Sequence, residues 1–471
     1  MNELQFKGNV KVRFAPSPTG HLHIGGLRTA LFNYFFAKKN KGSYVLRIED
    51  TDIARSTDVF KQSIIDSFEW IGIVPDEPIV VQSERFKEHM AVVDMLLKQK
   101  RAYRCYCTQE VLLQRLGKSE ESFVRYDRYC YNKQNQADIV NLPFVIRFLM
   151  PVDDPELYSF NDIIRDKITF QPDHFDDFII VRSDGVPVYN FVVVVDDAYM
   201  GITHVIRGEE HIPNTPKQIA LYKACGYRIP QFAHLPMILG PEGHKLSKRD
   251  GAKSVYEYKN EGYLPDALIN YLMRLGWSYG DQEIFTKFEL ENLFTLESVN
   301  KKGAIFDQAK LDWMNTEYLK KMSAQDIFSY IVQYIDSNFS LNYSWPHEKV
   351  LQVIELFKGR VTTIGGLIAL VNNLCKGFDI QLLNEYRSLF TQDVCNALHS
   401  VSDALNHDLF DQDILKQIAH ENNCKPMILM QSLRLIFVGQ LMGPGVFDLI
   451  EIIGKKEAFG RIIHFLNFLN T

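Results

Sequence analysis

A strand, a loop stiffened by two prolines and a helix opened by two glycines follow one another in "VKVRFAPSPTGHLHIGGLRTALFNYFFAKK". Val10, Val12 and Phe14 alternate with Lys11 and Arg13, the period of a strand with one buried face. Leu27, Ala30, Leu31, Tyr34 and Phe35 recur at helical spacing, which predicts a helix from about His23 to Lys38. Between them Pro16, Pro18 and Gly20 exclude regular structure. Gly25 and Gly26 fall in the first helical turn, where glycine costs stability but lets a ligand approach the backbone. A helix start offers unpaired N–H groups and a partial positive charge, so the pattern suits a phosphate.

The next strand, "SYVLRIED", puts Tyr44, Leu46 and Ile48 on one face and Arg47 and Glu49 on the other. Strand–helix–strand order predicts a parallel, Rossmann-like sheet with ligands at the carboxyl ends of its strands, near Arg13, Ser17 and Glu49. From about Tyr103 to Asp173 the pattern is irregular and reads as an insertion; "FVVVVDD" then reads as a buried strand, and "ITHVIRGEEH" as another ending at Arg207. Beyond Lys320 the periodicity is helical, with Ile354, Phe357 and Val361 on one stripe and Phe459, Ile462, Ile463 and Leu466 on another. The expected fold class is an α/β Rossmann-like domain carrying an inserted α+β domain, followed by an all-α half. Seven cysteines, an odd number in 471 residues, argue against a disulfide framework. A net charge of −6 leaves only a local basic surface for any nucleic acid. No apolar run reaches membrane-spanning length, so a cytoplasmic protein without a membrane partner is expected.

A second basic site lies in "GPEGHKLSKRDGAKSV", where Lys245 and Lys248 stand three apart beside Arg249. By itself this is most simply a solvated loop. Paired with a phosphate-binding helix start it gains a purpose. Cleavage of a polyphosphate builds up negative charge, and a mobile ammonium closing from the opposite side stabilises it.

"HIGG" and "KLSKR" resemble, in order, the HIGH and KMSKS signatures of class I aminoacyl-tRNA synthetases. "APSPTGHLHIGGLRTALFNY", "RIEDTD", "VIRGEEH", "KLSKRDGA", "FDQAKLDWMN" and "LRLIFVGQLMGPGVFDLIEIIGK" are similar to the bacterial glutamyl-tRNA synthetase family, over nearly the whole chain. Gly26 stands at the fourth HIGH position, as is common in that branch. The resemblance implies ATP-dependent conversion of L-glutamate to glutamyl-adenylate, with Mg²⁺ on the phosphates, and transfer to the 3′ end of tRNA. It implies catalytic roles for His23, Lys245 and Lys248, and an ATP site at Gly20, His23, Gly25, Gly26 and Lys248. Glutamate would be held by Arg13, Ala15, Ser17, Glu49, Tyr189 and Arg207, and the anticodon read by Arg360. The implied domains are a Rossmann catalytic domain in two halves, 1–102 and 191–255, an acceptor-binding insertion at 103–190, a stem-contact domain at 256–325 and an anticodon-binding region at 326–471. A monomer is expected.

Many members of the family carry zinc in the insertion. Cys105, Cys107 and Cys130 match three ligands, but the fourth position is Asn132, a poor zinc donor. Buried thiols without metal are therefore the expectation, although a nearby tyrosine or water could complete a site. Among rivals, a glutaminyl enzyme would have a β-barrel anticodon half, and a truncated queuosine-glutamylating paralogue would have none. A small nucleotidyltransferase would leave the helical half unexplained. A degenerate tRNA-binding paralogue would not need His23, Lys248, Arg13 and Arg207 together. Whether tRNA(Glu), tRNA(Gln) or both are charged stays open; tRNA(Glu) is the expectation.

Overall fold

The structure, a computed structural model, describes residues 9–51, 56–117, 125–133, 142–151, 153–247, 249, 253–334, 345–376 and 380–469. The chain divides into two compact units, one formed by residues 1–256 and 269–307 and the other by 257–268 and 308–471.

In the first unit the elements run β1 (Lys11–Phe14), α1 (Ile24–Lys39), β2 (Ser43–Ile48), α2 (Asp58–Ile71), β3 (Val80–Val81), α3 (Phe86–Lys98) and β4 (Ala102–Cys105). They continue with α4 (Gln109–Leu116), α5 (Tyr129–Asn132), β5 (Val145–Phe148), β6 (Ser159–Asp162), β7 (Asp166–Thr169) and β8 (Ile179–Val181). Then come α6 (Tyr189–Tyr199), β9 (His204–Gly208), α7 (Thr215–Cys225) and β10 (Gln231–Leu235). The main sheet has the order β3-β2-β1-β9-β10-β6-β7, and a smaller sheet the order β4-β5-β8. The pairings β1–β2, β1–β9 and β9–β10 are parallel, with Arg13 opposite Val45 and His234 opposite Arg207. The chain leaves β1 towards β2 on one side, while β9 closes on the other. This reversal opens a crevice at the carboxyl ends of β1 and β9, where doubly wound folds bind ligands.

Two local readings are corrected. The alternation in β1 reads as a strand with one buried face, yet Arg13 is buried beside its valines, and Arg47 on the second face of β2 is buried too. A parallel sheet is covered on both faces, so a charge on its strands must find a buried partner. "FVVVVDD", read as a strand, is the core of helix α6. Phe191 to Asp197 are all buried, and helix α6 packs on α3 and α7. A short apolar run has no period that separates a helix buried all round from a strand, and packing overrode the β preference of valine. Part of the expected insertion also belongs to the main sheet, since β6 pairs with β10 in parallel at Asp162 and Phe232.

The second unit is helical in its described residues. Its core holds Val353, Ile354 and Phe357 of the His347–Phe357 helix with Ile462, Phe465 and Leu466 of the Lys455–Leu469 helix. Val361 joins that core from beyond its helix, whereas Phe459 lies only at its margin and Ile463 is half-buried. Buried Asn315 ties two loops together: its Oδ1 accepts from Leu264 N at 2.8 Å and its Nδ2 donates to Thr362 O at 2.6 Å.

Candidate active site

A cavity of about 640 Å³ opens at the carboxyl ends of β1 and β9. Of the sequence-predicted residues it brings together Arg13, Ala15, Ser17, Gly20, His23, Gly25, Gly26, Glu49, Tyr189, Arg207 and Lys245. Lys248 lies outside the described residues, although Ser247 beside it lines the cavity. Arg360 is in the helical unit, exposed, with Nη1 donating to Gly443 O at 3.2 Å.

The corner expected to take phosphates is built around the start of α1. His23 is its N-cap, and its Nδ1 accepts from Gly26 N at 3.1 Å. That bond fixes the neutral tautomer with the proton on Nε2, so His23 offers a donor to the cavity. Desolvation by the cavity walls, and then the Lys245 ammonium, lower its pKa and keep it neutral. Each glycine has a different reason to be there. A Cβ on Gly25 would press on the His23 ring at 3.1 Å, and one on Gly26 would meet Leu22 Cδ1 at 2.9 Å. A Cβ on Gly20 would meet nothing. Behind them Arg28 donates to Leu275 O and Pro236 O, and burial lowers its pKa to about 10.

The deep end is an array of charges that sequence reasoning only partly found. Arg13 donates from Nε to Asp197 Oδ1 at 3.0 Å, and Arg47 from Nη1 to the same oxygen at 2.6 Å. Arg47 also reaches Glu49 Oε1 at 3.2 Å. Burial opposes ionisation of Asp197, but Arg13 and Arg47 outweigh it and hold its pKa below the usual range. Glu49 shows the opposite balance: burial raises its pKa against the pull of Arg47 and Arg13. The two acids in an otherwise apolar "FVVVVDD" were the available signal, since buried carboxylates require cations. Asp196 is neutralised separately, by Arg85 at 2.8 Å with Gln82 and His89.

Arg207 differs from its neighbours. It is 5 % exposed, and its partners are all neutral. Nε donates to His234 Nε2 at 3.1 Å, Nη1 to Gln218 Oε1 at 2.8 Å, and Nη2 to Thr215 Oγ1 at 2.8 Å and weakly to His211 O at 3.4 Å. Burial is the largest influence on it and lowers its pKa. Beside it His211, whose pKa burial and then Arg207 lower to about 4, lies with Nδ1 3.4 Å from the Tyr189 hydroxyl. Among the described residues Arg13 and Arg47 are bonded to the carboxylates of Asp197 and Glu49, whereas Arg207 is bonded to none. One positive charge is left without a counterion, which an anionic ligand would supply.

Away from this cavity, the Cys105, Cys107 and Cys130 sulfurs lie within 4.8 Å of one another. Asn132 is not the residue that completes the group. Tyr126 Oη lies 3.2 Å from Cys105 Sγ and 3.9 Å from Cys107 Sγ, and Arg115 donates to the Cys107 sulfur. Burial and then the Cys130 contact raise the Cys107 pKa to about 11. Burial also works against a Cys130 thiolate, but hydrogen bonds led by Tyr126 prevail and lower its pKa. The tyrosine that the sequence leaves unspecified is Tyr126, four residues before Cys130 rather than downstream of it.

The family model described as tRNA synthetases class I (E and Q), catalytic domain, matches residues 9–313, and the one described as anticodon binding domain matches 313–466. The chain belongs to the class I tRNA synthetases of this E and Q group. Its similar relatives are named glutamate–tRNA ligases. That of Thermodesulfovibrio yellowstonii is 42% identical over 467 residues, covering 96% of this chain and 98% of the relative. Glutamate–tRNA ligase 1 of Helicobacter pylori is 40% identical over 465 residues, covering 97% and 99%. The crystal structure of a glutamate tRNA ligase from Elizabethkingia meningosepticum in complex with its amino acid has a TM-score of 0.81 at 34% identity, covering 98% of this chain and all of that one. Among the described residues no helix is long and apolar enough to cross a membrane.

Proposed function

We propose that this chain is an aminoacyl-tRNA synthetase that activates L-glutamate with ATP and transfers it to tRNA. The observation that carries the choice of amino acid is Arg207, a buried cation whose protein partners are all neutral. Glutamate carries one net negative charge and matches the uncompensated positive charge; glutamine does not. The α-carboxylate must reach the α-phosphate at the start of α1, so the side-chain carboxylate points towards Arg207 and the free Nη groups of Arg13. Glu49 and the Tyr189 oxygen receive the α-ammonium. The α-carboxylate is already a nucleophile, so the first step needs no general base and rests on positioning and charge stabilisation. His23 donates from Nε2 to a phosphate oxygen, and Lys245 and Lys248 meet the charge that builds on the α-phosphate. ATP brings Mg²⁺, which screens the leaving pyrophosphate. ATP–pyrophosphate exchange, run with tRNA present, tests the assignment. Exchange with glutamate and not glutamine supports it, and equal exchange with both would overturn it.

Lys248→Ala should cost about 3–4 kcal/mol of transition-state stabilisation, as expected for one preorganised charge-stabilising group. The KM values for glutamate and ATP should change far less. Near-normal turnover would remove Lys248 from the reaction.

The insertion, 103–190, is proposed to meet the acceptor end, 256–325 the stem and 326–471 the anticodon, in a monomer acting in the cytoplasm. The anticodons for glutamate and glutamine differ only at the third base, C against G. Arg360 carries N–H groups with no protein partner among the described residues. They suit the O2 and N3 acceptors of cytosine but oppose the N1 and N2 donors of guanine. Leaving those donors unpaired costs about 1–3 kcal/mol, so tRNA(Glu) should be favoured by roughly one to two decades. Arg360→Gln should narrow the ratio of kcat/KM for the two tRNAs, and an unchanged ratio would assign discrimination elsewhere.

The donor set of Cys105, Cys107, Cys130 and Tyr126 fits zinc as a structural site, with thiolates as the principal ligands. The purified protein should hold about one zinc, lost in Cys107→Ser and more easily chelated in Tyr126→Phe. Metal analysis finding none in wild type would return the cluster to plain buried thiols.

A further inference from the structure

Among the described residues Arg207 is the only cation of the deep pocket bonded to a histidine ring, and that histidine belongs to a chain of bonds leading out of the pocket. Its Nε–H is an obligate donor, so His234 Nε2, 3.1 Å away, must be an acceptor. The ring proton is therefore on Nδ1, where it is donated to Asp162 Oδ2 at 2.6 Å. Both the His234 and Asp162 side chains are fully buried. Asp162 is itself held rigidly at the end of β6. Its Oδ1 accepts from Ile164 N at 3.0 Å, Arg165 N at 2.9 Å and His234 N at 3.3 Å. Arg165 in the same turn donates to His234 O at 3.2 Å. Phe160 and Phe232 pack beside the imidazole, 6.2 and 6.3 Å between ring centroids.

We propose that Asp162 and His234 are positioning residues for substrate recognition: Asp162 fixes the tautomer of His234, and His234 in turn fixes the plane of the Arg207 guanidinium. This rests on the reading that Arg207 receives the glutamate carboxylate. The physical need is specific. With Nε and both Nη groups tethered to neutral acceptors, the cation is aimed without being neutralised. A carboxylate in place of His234 would aim it equally well but supply the counterion that the substrate must bring. Burial, the largest influence on His234, lowers its pKa and so favours the neutral ring that the arrangement requires.

Asp162→Asn separates positioning from simple packing. The three backbone N–H groups keep the amide oxygen on the Oδ1 side, so the NH₂ takes the place of Oδ2 and donates to His234 Nδ1. The ring proton then moves to Nε2, where it opposes the Arg207 Nε–H and has only Thr215 Oγ1, 3.3 Å away, to turn to, so the Arg207 Nε loses its acceptor. The expected result is a rise of about tenfold or more in KM for glutamate, with KM for ATP unchanged and kcat at saturating glutamate little altered. ¹⁵N spectra of ring-labelled histidine should place the His234 proton on Nδ1 in wild type and on Nε2 in the variant. His234→Phe, which keeps the ring packing but removes the acceptor, should reproduce the KM effect. An Nε2–H tautomer in the wild type overturns the proposal whether or not Asp162→Asn folds. So does a flipped tautomer with unchanged KM for glutamate in an enzyme where Arg207→Met raises it. If Arg207→Met itself leaves that KM unchanged, it is the assignment of Arg207 to the substrate that fails.

Discussion

Arg207→Met should lower kcat/KM for glutamate by about 10³-fold or more, while the chain stays folded. Truncating one member of a buried, hydrogen-bonded charge pair costs about 2–5 kcal/mol or more, and here the other member is the substrate carboxylate. The upper end applies because the guanidinium is already oriented by His234, Gln218 and Thr215, so its ordering costs nothing further when glutamate arrives. Stability should change little. Methionine leaves four acceptors without this donor, one of them only weakly bonded, but it also removes a buried cation that has no carboxylate partner among the described residues. Exchange kinetics at varied glutamate, together with a thermal melt, measure both effects. A kcat/KM within tenfold of wild type would mean that Arg207 does not hold the substrate.

The largest effect on stability is expected at Asp197. It is 3 % exposed and bridges Arg13 and Arg47, whose side chains are as deeply buried. Asp197→Ala leaves two guanidinium groups facing each other in a dry site, which should cost about 3–5 kcal/mol. Calorimetry resolving the transition of the first unit reads this directly. The direction with pH follows from the carboxyl being held below its usual range in the folded chain. Its stabilisation is present above the unfolded pKa of about 4 and is lost as pH falls through the lower folded value. The difference between wild type and Asp197→Ala should therefore shrink at low pH. A difference equally large at pH 7 and pH 3 would mean that the charge of Asp197 is not what holds the array.

The two sites were legible in the sequence to different depths. His23, Gly25, Gly26 and Lys245 stand in short segments whose spacing suggests a phosphate site, and Arg13 is named through the family resemblance; the cavity brings all of them together. Arg207 was found as a residue, but its partners were not. His234, Gln218 and Thr215 come from β10 and α7, and no spacing along the chain links them. The same limit left open which tyrosine stands by the cysteine cluster, and it hid Asp197, in a run read as a strand, from Arg13.

The sequence by itself determined the strand–loop–helix start, the α/β character of the first part of the chain and the helical character of the rest. These follow from local periodicity and from the dihedral limits of proline and glycine, which need no distant contact. Tertiary structure alone decided that "FVVVVDD" is a helix, that both faces of β1 and β2 are covered, and that β6 closes on β10. It also decided the charge balance of the pocket. Whether a buried arginine meets a carboxylate or only neutral acceptors depends on which strands become neighbours. That difference, a buried positive charge at Arg207 with no carboxylate partner among the described residues, is what carries the proposed choice of an acidic amino acid.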